Sequence, residues 1–225
     1  MSKLGHPVLI VNFKAYQEVN GSAAVRLAQL CQTVAEETGT NIAVCPPMVE
    51  LSAVAATVTI PVLAENVDPH APGSATGWVT PSMVKACGCA GTLINHSEHK
   101  VPANTVEECV ELALGSGLAT VVCADSVDIA TQLAKCSPDY IAVEPPELIG
   151  GNISVTTANP RVVESTVESV KSVNHAIRVL CGAGIKTGKD VAAALDLGAD
   201  GVLLASGVVK AKDQAAALRD LVSEL

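Results

Sequence analysis

The chain has 225 residues, 49% of them hydrophobic and 16% charged, which excludes a disordered polymer and leaves one large domain or two small ones. Its net charge of −9, from 14 basic and 23 acidic side chains, excludes the basic face that a nucleic-acid binder needs. Aromatics are only 2%, so the core must be built from Val, Ala, Leu and Ile.

In chain order, Pro7 to Phe13 is a short β-branched run that reads as a buried strand. From Ser22 the period changes. Ala24, Leu27, Ala28, Cys31, Val34 and Ala35 recur at three and four, which is one helical face, and Gly39 stops it. Ile42 to Cys45 is a second strand, closed by Pro46-Pro47, and a helix through Leu51 and Val54 follows. Pro61 to Val67 is a third strand, followed by a loop of turn residues from Asp68 to Gly77. Pro81 to Ala86 is a short helix with Thr80 as its N-cap.

Gly91 to Asn95 is strand four, running into His96-Ser97-Glu98-His99; the helix through Val106, Cys109, Val110 and Ala113 comes next. Ala119 to Cys123 is strand five, with Ser126 to Cys136 as its helix. Asp139 to Val143 is strand six, followed by Glu144-Pro145-Pro146-Glu147-Leu148-Ile149-Gly150-Gly151. Pro160 to Val173 is a helix, Arg178 to Cys181 strand seven, and Thr187 to Leu197 a helix capped by Thr187. Gly201 to Leu204 is strand eight, and the last helix runs through Leu218, Leu221 and Val222.

Eight strand–helix units thus alternate, and the strands are continuous apolar runs, as strands buried on both faces are. No linker divides the chain. The expectation is an α/β fold, one (β/α)8 barrel domain over residues 1–225. The alternative, an open doubly wound sheet, lacks its Gly-x-Gly-x-x-Gly after the first strand. The eight cysteines lie mostly among Ala and Val and read as small, free, reduced hydrophobes, which points to the cytoplasm. Cys87-Gly88-Cys89 lacks zinc-site spacing, so no metal is expected. Neither a signal-type leader nor a membrane-length apolar run is present.

In a barrel, chemistry sits at the C-terminal strand ends. These deliver Asn12 and Lys14, then Asn95, His96 and Glu98, then Glu144, and last Gly182-Ala183-Gly184 and Ala205-Ser206-Gly207. The two small-residue turns after strands seven and eight expose backbone N–H groups where barrels hold phosphate. An acidic protein can therefore bind an anion through backbone dipoles and Lys14. His96 stands where a helical turn is expected to begin, which would keep its ring neutral. Glu144 is placed to take a proton from carbon, with a segment behind it that is stiff at Pro145-Pro146 and permissive at Gly150-Gly151, as a closing lid would be. His6, His70, His99 and His175 read as surface residues. A base, a neutral donor, a cation and a phosphate cradle together describe proton abstraction beside a carbonyl in a small sugar phosphate.

Five segments, Val11-Asn12-Phe13-Lys14, Asn95-His96-Ser97-Glu98, Val143 to Gly150, Cys181 to Ile185 and Leu203 to Ser206, resemble the triosephosphate isomerase family over nearly the whole chain, in the short form found in archaea. A glutamate base, a neutral histidine and a closing loop are the established features of that family. The resemblance implies interconversion of dihydroxyacetone phosphate and D-glyceraldehyde 3-phosphate. Glu144 would be the base and His96 the electrophile. Asn12 and Lys14 would hold the substrate oxygens, with Glu98 behind Lys14 or at a subunit contact. Ile149, Gly150, Gly184, Ala205 and Ser206 would grip the phosphate. It implies no metal or organic cofactor, no nucleic acid and no membrane. It also implies a homo-oligomer, a dimer at least and a tetramer in the archaeal form, with Thr76 at the tip of a loop reaching the neighbouring subunit. The chain departs from the family pattern at Glu65-Asn66, Trp78 and His99-Lys100.

Two other readings stand beside this one: another phosphate-binding barrel enzyme acting on a larger compound, and a binding protein without catalysis.

Overall fold

In the computed structural model, residues 4–145 and 159–225 are described. Eight parallel strands pair in the order β2-β1-β8-β7-β6-β5-β4-β3. They are β1 (Val8–Asn12), β2 (Asn41–Cys45), β3 (Leu63–Ala64), β4 (Gly91–Ile94), β5 (Ala119–Ala124), β6 (Tyr140–Val143), β7 (Arg178–Cys181) and β8 (Gly201–Leu204). A bridge between Val44 and Val62, with the Val44 N–H donating to the Pro61 carbonyl at 3.0 Å, joins the two edges. The result is the expected (β/α)8 barrel.

The strand sequences divide by parity. Val8 and Ile10 lie in one apolar cluster with Ala43, Leu63, Leu93, Val121, Ala142 and Leu180, which fills the barrel. Leu9 and Val11 lie in another with Val34, Val54, Val106 and Leu221, where the helices cover the sheet. Both faces of each strand are buried, which is why the strands read as unbroken apolar runs.

Helix boundaries follow local chemistry. Ser22–Thr38 stops at Gly39, whose φ of 72° is left-handed. Pro81–Ala86 begins after Thr80, whose side chain accepts the Met83 N–H. Gly188–Asp196 starts with a capping box between Thr187 and Asp190. Pro160–Val173 and the last helix, Gln214–Val222, match their apolar stripes.

Three expectations are corrected. Strand three is only Leu63–Ala64, because the chain leaves the sheet after Ala64 and Pro61 has no N–H to give. The helix expected from Ser126 to Cys136 is α-helical only over Val127–Leu133 and tightens to a 3-10 turn over Ala134–Cys136, ending at left-handed Ser137. A short helix, Ser206–Val209, follows β8 where only the small-residue turn Ala205-Ser206-Gly207 was assigned. Among the described residues, no helix is long and apolar enough to cross a membrane.

Candidate active site

Period two carries the interior face past the strand ends. Asn12 follows Val8 and Ile10, Asn95 follows Leu93, Glu144 follows Tyr140 and Ala142, and Gly182 follows Leu180. These positions ring the C-terminal mouth. Asn12, Lys14, His96, Glu144, Gly184, Ala205 and Ser206 line one cavity of about 190 Å³, together with Tyr16, Glu98 and Lys186. Ile149, Gly150 and the rest of the segment expected to close the site lie outside the described residues.

Asn12 is buried, and its Oδ1 accepts the Lys14 N–H at 3.0 Å. That bond accompanies a left-handed Lys14, with φ 52°, a conformation that costs a non-glycine residue about 1 kcal/mol or more. The Lys14 Nζ donates to Glu98 Oε1 at 2.8 Å, so Glu98 stands behind Lys14 as the resemblance implied. The pair is fixed from one side only: the Lys14 side chain is 13% exposed and the Glu98 side chain 57%.

His96 sits in a turn rather than at a helix start. Its carbonyl accepts the His99 N–H at 2.7 Å, and the next helix, Ala103–Gly115, begins seven residues on. The reason for a neutral ring is therefore different from the one expected. Burial, then the Lys14 charge, lowers its pKa to about 4, against a weaker upward pull from Glu98. The Glu98 N–H donates to His96 Nδ1 at 3.2 Å. A nitrogen that accepts carries no proton, so the ring proton belongs on Nε2, which faces Glu144 Oε1 at 3.6 Å.

Glu144 is 3% exposed. Burial raises its pKa to about 7, opposed by Lys14 and by Ser97 and Cys123 beside it. Its Oε2 and the Ser97 hydroxyl have no hydrogen-bond partner among the described residues. Gly182 makes room for it: a Cβ there would lie 2.6 Å from Glu144 Cγ.

The far wall is backbone. Gly184 takes φ 73°, and Ala205 precedes the four-residue helix Ser206–Val209 without a side-chain cap. A Cβ on Gly207 would meet the Ile185 carbonyl at 3.1 Å, so the two turns lie against each other. The N–H groups at the start of Ser206–Val209 have no intrahelical acceptor. In contrast, the N-terminus of Gly188–Asp196 is closed, since Asp190 and Asp220 accept its first N–H groups. Lys210 stands over the Tyr16 ring at 4.2 Å, on the same rim.

Two more hollows flank the site. One, of about 170 Å³, lies beyond Glu144 and is lined by Asn95, Ser97, Cys123 and the Lys100–Asp125 ion pair. The other is a groove of about 510 Å³ that reaches Lys14 and His96 from the side of Glu65, Asn66, Asp68 and Trp78. The loop bordering this groove is closed at its base by Asp68 and Val79, which exchange two hydrogen bonds, and Thr76 on it is exposed.

The family model for triosephosphate isomerase matches residues 7–224. The chain belongs to the triosephosphate isomerase family. Triosephosphate isomerase from Methanocaldococcus jannaschii is 48% identical over 215 residues, covering 96% of this chain and 98% of the relative. That from Methanopyrus kandleri is 49% identical over 221 residues, covering 97% and 98%. The crystal structure of triosephosphate isomerase from Bartonella henselae superposes with a TM-score of 0.78 at 18% identity, covering 97% of this chain and 98% of that one, and speaks for the fold. As a member of the triosephosphate isomerase family the chain is an enzyme, an intramolecular aldose–ketose isomerase.

Sequence reasoning missed Tyr16 and Lys186 in the cavity wall, and Glu65 in the groove. Tyr16 lies past the end of β1 in a 3-10 region without period. Glu65 could have been found by parity from Leu63. Of the histidines read as surface residues, His6, His99 and His175 are exposed, but His70 is half-buried against Trp78, with ring centroids 4.6 Å apart.

Proposed function

We propose that this chain interconverts dihydroxyacetone phosphate and D-glyceraldehyde 3-phosphate by proton transfer through an enediolate, with Glu144 as the base and His96 as the electrophile. The observation that carries this reading is the shared cavity: Glu144, His96, Lys14 and the two backbone turns line one space of about 190 Å³, the size of a small ligand. The Glu144 carboxylate takes a proton from the carbon beside the carbonyl and returns it to the former carbonyl carbon, while His96 gives its Nε2 proton to one enediolate oxygen and takes up the hydroxyl proton of the other. A carboxylate held near a pKa of 7 is a far better base at neutral pH than an ordinary one. His96 gives an N–H to the substrate oxygen without having to lose a charge first. Lys14 opposes the negative charge that develops on that oxygen, and Asn12 steadies the Lys14 backbone. The phosphate fits the wall of Gly184, Ala205 and Ser206, where the N–H groups that begin the helix Ser206–Val209 have no intrahelical acceptor. Ile149 and Gly150 would complete this grip from the closing segment.

A second copy of the chain fits the groove beside Lys14. The loop carrying Thr76 runs into Gly77, Trp78 and Val79, which line the groove, so a two-fold axis could bring each loop to the other's groove. This supports a dimer at least. The free thiols suit a reducing compartment, the cytoplasm.

The test is turnover of glyceraldehyde 3-phosphate followed through a coupled dehydrogenase, with Glu144→Gln as control. The expected loss in kcat is about a thousandfold. An unreduced rate would remove Glu144 from the mechanism, and an inactive wild type that still bound phosphate would remove the isomerase reading. For wild type, kcat/KM should rise with pH through about 7, because only the ionised Glu144 can accept the proton.

A further inference from the structure

We propose that Asn95 is a positioning residue for the reaction, a single side-chain amide that sets His96 and, through Glu98, Lys14. The inference rests on the isomerase reading above. Asn95 leaves β4 with φ 62°, the left-handed conformation that Asn tolerates better than other side chains except glycine. Backbone pairing between β4 and β5 ends at Ile94 and Val122. The Asn95 amide extends it: Nδ2 donates to the Cys123 carbonyl at 2.9 Å. Its Oδ1 accepts the Val101 N–H at 3.0 Å. One partner is an acceptor and the other a donor, so the orientation of the amide is fixed by chemistry.

The consequence is a closed loop. Val101 is six residues beyond Asn95, and the bond between them shuts the base of the segment that carries His96, Ser97 and Glu98. Inside it, the His99 N–H meets the His96 carbonyl at 2.7 Å, and the Glu98 N–H meets His96 Nδ1 at 3.2 Å. That second bond selects the tautomer with the proton on Nε2. Glu98 also holds Lys14 at 2.8 Å. Glycine at 95 could adopt the backbone angle equally well, yet it could neither clasp Val101 nor reach Cys123. The amide thus adds something beyond a turn.

Asn95→Gly tests this, since it keeps the backbone freedom and removes only the clasp. The expected result is a fall in kcat of about ten- to a hundredfold, the scale of a small misplacement of catalytic groups. KM for dihydroxyacetone phosphate and the affinity for inorganic phosphate should change much less than kcat, since the backbone cradle across the cavity is untouched and only the Lys14 share of binding is disturbed. Nitrogen-15 spectra of His96 should change from a single Nε2–H tautomer to a mixture. Asn95→Asp, which keeps the acceptor for Val101 and loses the donor to Cys123, should give a smaller loss of kcat and serves if the glycine variant does not fold. Unchanged kcat and unchanged histidine signals, with only a lower Tm, would overturn the proposal and leave Asn95 a structural residue. An inactive wild type would overturn the isomerase reading instead, and the histidine spectra of wild type and variant would then decide the role of Asn95 alone.

Discussion

β6 is four residues long and has a carboxylate at each end. At the N-terminal end, Asp139 accepts the Thr120 N–H at 2.9 Å and gives its own N–H to the Thr120 hydroxyl at 3.0 Å. Nearby, the Tyr140 hydroxyl donates to the Gly5 carbonyl at 3.1 Å and accepts from Arg178 at 3.3 Å, and Asp200 accepts the Val179 N–H at 3.0 Å. At the C-terminal end, the buried atoms Glu65 Oε1, Ser97 Oγ and Glu144 Oε2 find no partner among the described residues. The two ends share strands, twist and core, and differ in whether buried polar atoms are satisfied. A buried polar group without a partner costs about 1–3 kcal/mol. The bottom of the barrel is arranged for stability. Among the described residues the mouth keeps hydrogen-bonding capacity open, and burial holds the Glu144 carboxyl at a pKa of about 7, which is what the base proposed above needs at neutral pH.

Gly182→Ala should break the arrangement at the mouth most sharply after Glu144 itself. The new Cβ would lie 2.6 Å from Glu144 Cγ and 3.1 Å from the Val143 carbonyl, so the carboxylate has to move. We expect kcat to fall about ten- to a hundredfold. Overpacking should cost about 1–3 kcal/mol of stability. Parallel turnover and urea titrations check both. A variant that lost stability but kept kcat would speak against Glu144 as the base in the position it holds here, and the contrast between the ends would weaken.

Asp139→Ala makes the converse change at the other end. It leaves the Thr120 N–H, on a residue with no exposed surface, without its acceptor. The expected loss is about 1–3 kcal/mol in urea unfolding, with kcat of the folded enzyme unchanged. A fall in kcat comparable to that of Gly182→Ala would show that the two ends are not separable.

Much of this contrast was legible in the sequence, and its limits were physical. Strand–helix alternation located every strand, because apolar runs and helical stripes are set by burial. Strand ends then gave Asn12, Lys14, His96 and Glu144, since a polar residue that closes an apolar run in a barrel has only the mouth to face. Three things were hidden. The helix Ser206–Val209 has four residues, too few to show a period. The neutrality of His96 was expected from a helix start, but it comes from burial and Lys14, which depend on residues far apart in the chain. The clasp from Asn95 reaches 28 residues ahead to Cys123 and six ahead to Val101, and nothing local signals it.

A carboxyl at the mouth whose buried oxygen has no partner among the described residues also makes stability depend on pH. Glu65 continues the parity of Leu63, lines the groove of about 510 Å³, and has a pKa raised from 4.5 to about 7. Burial is the main cause; Glu98 also raises it, while the Lys14 N–H and charge lower it. The sign of the linkage follows from who holds the proton. Between pH 4.5 and about 7 the unfolded chain has lost it and the folded chain keeps it, so stability falls as pH rises through that window. Glu144 contributes a slope of the same sign. His96 opposes both: between about 4 and 6.5 it is neutral when folded and protonated when unfolded, so its contribution rises with pH. Glu65→Gln removes only the first of these and leaves the other two common to both proteins. Calorimetry from pH 4.5 to 8 should therefore find equal slopes except for the Glu65 contribution. The variant should gain on wild type by several degrees as pH rises, since about 1 kcal/mol moves Tm by roughly 2–4 °C in a domain of this size. A difference that stayed constant with pH would mean that Glu65 ionises as freely in the fold as outside it, and that its unpartnered oxygen is solvated from the groove after all.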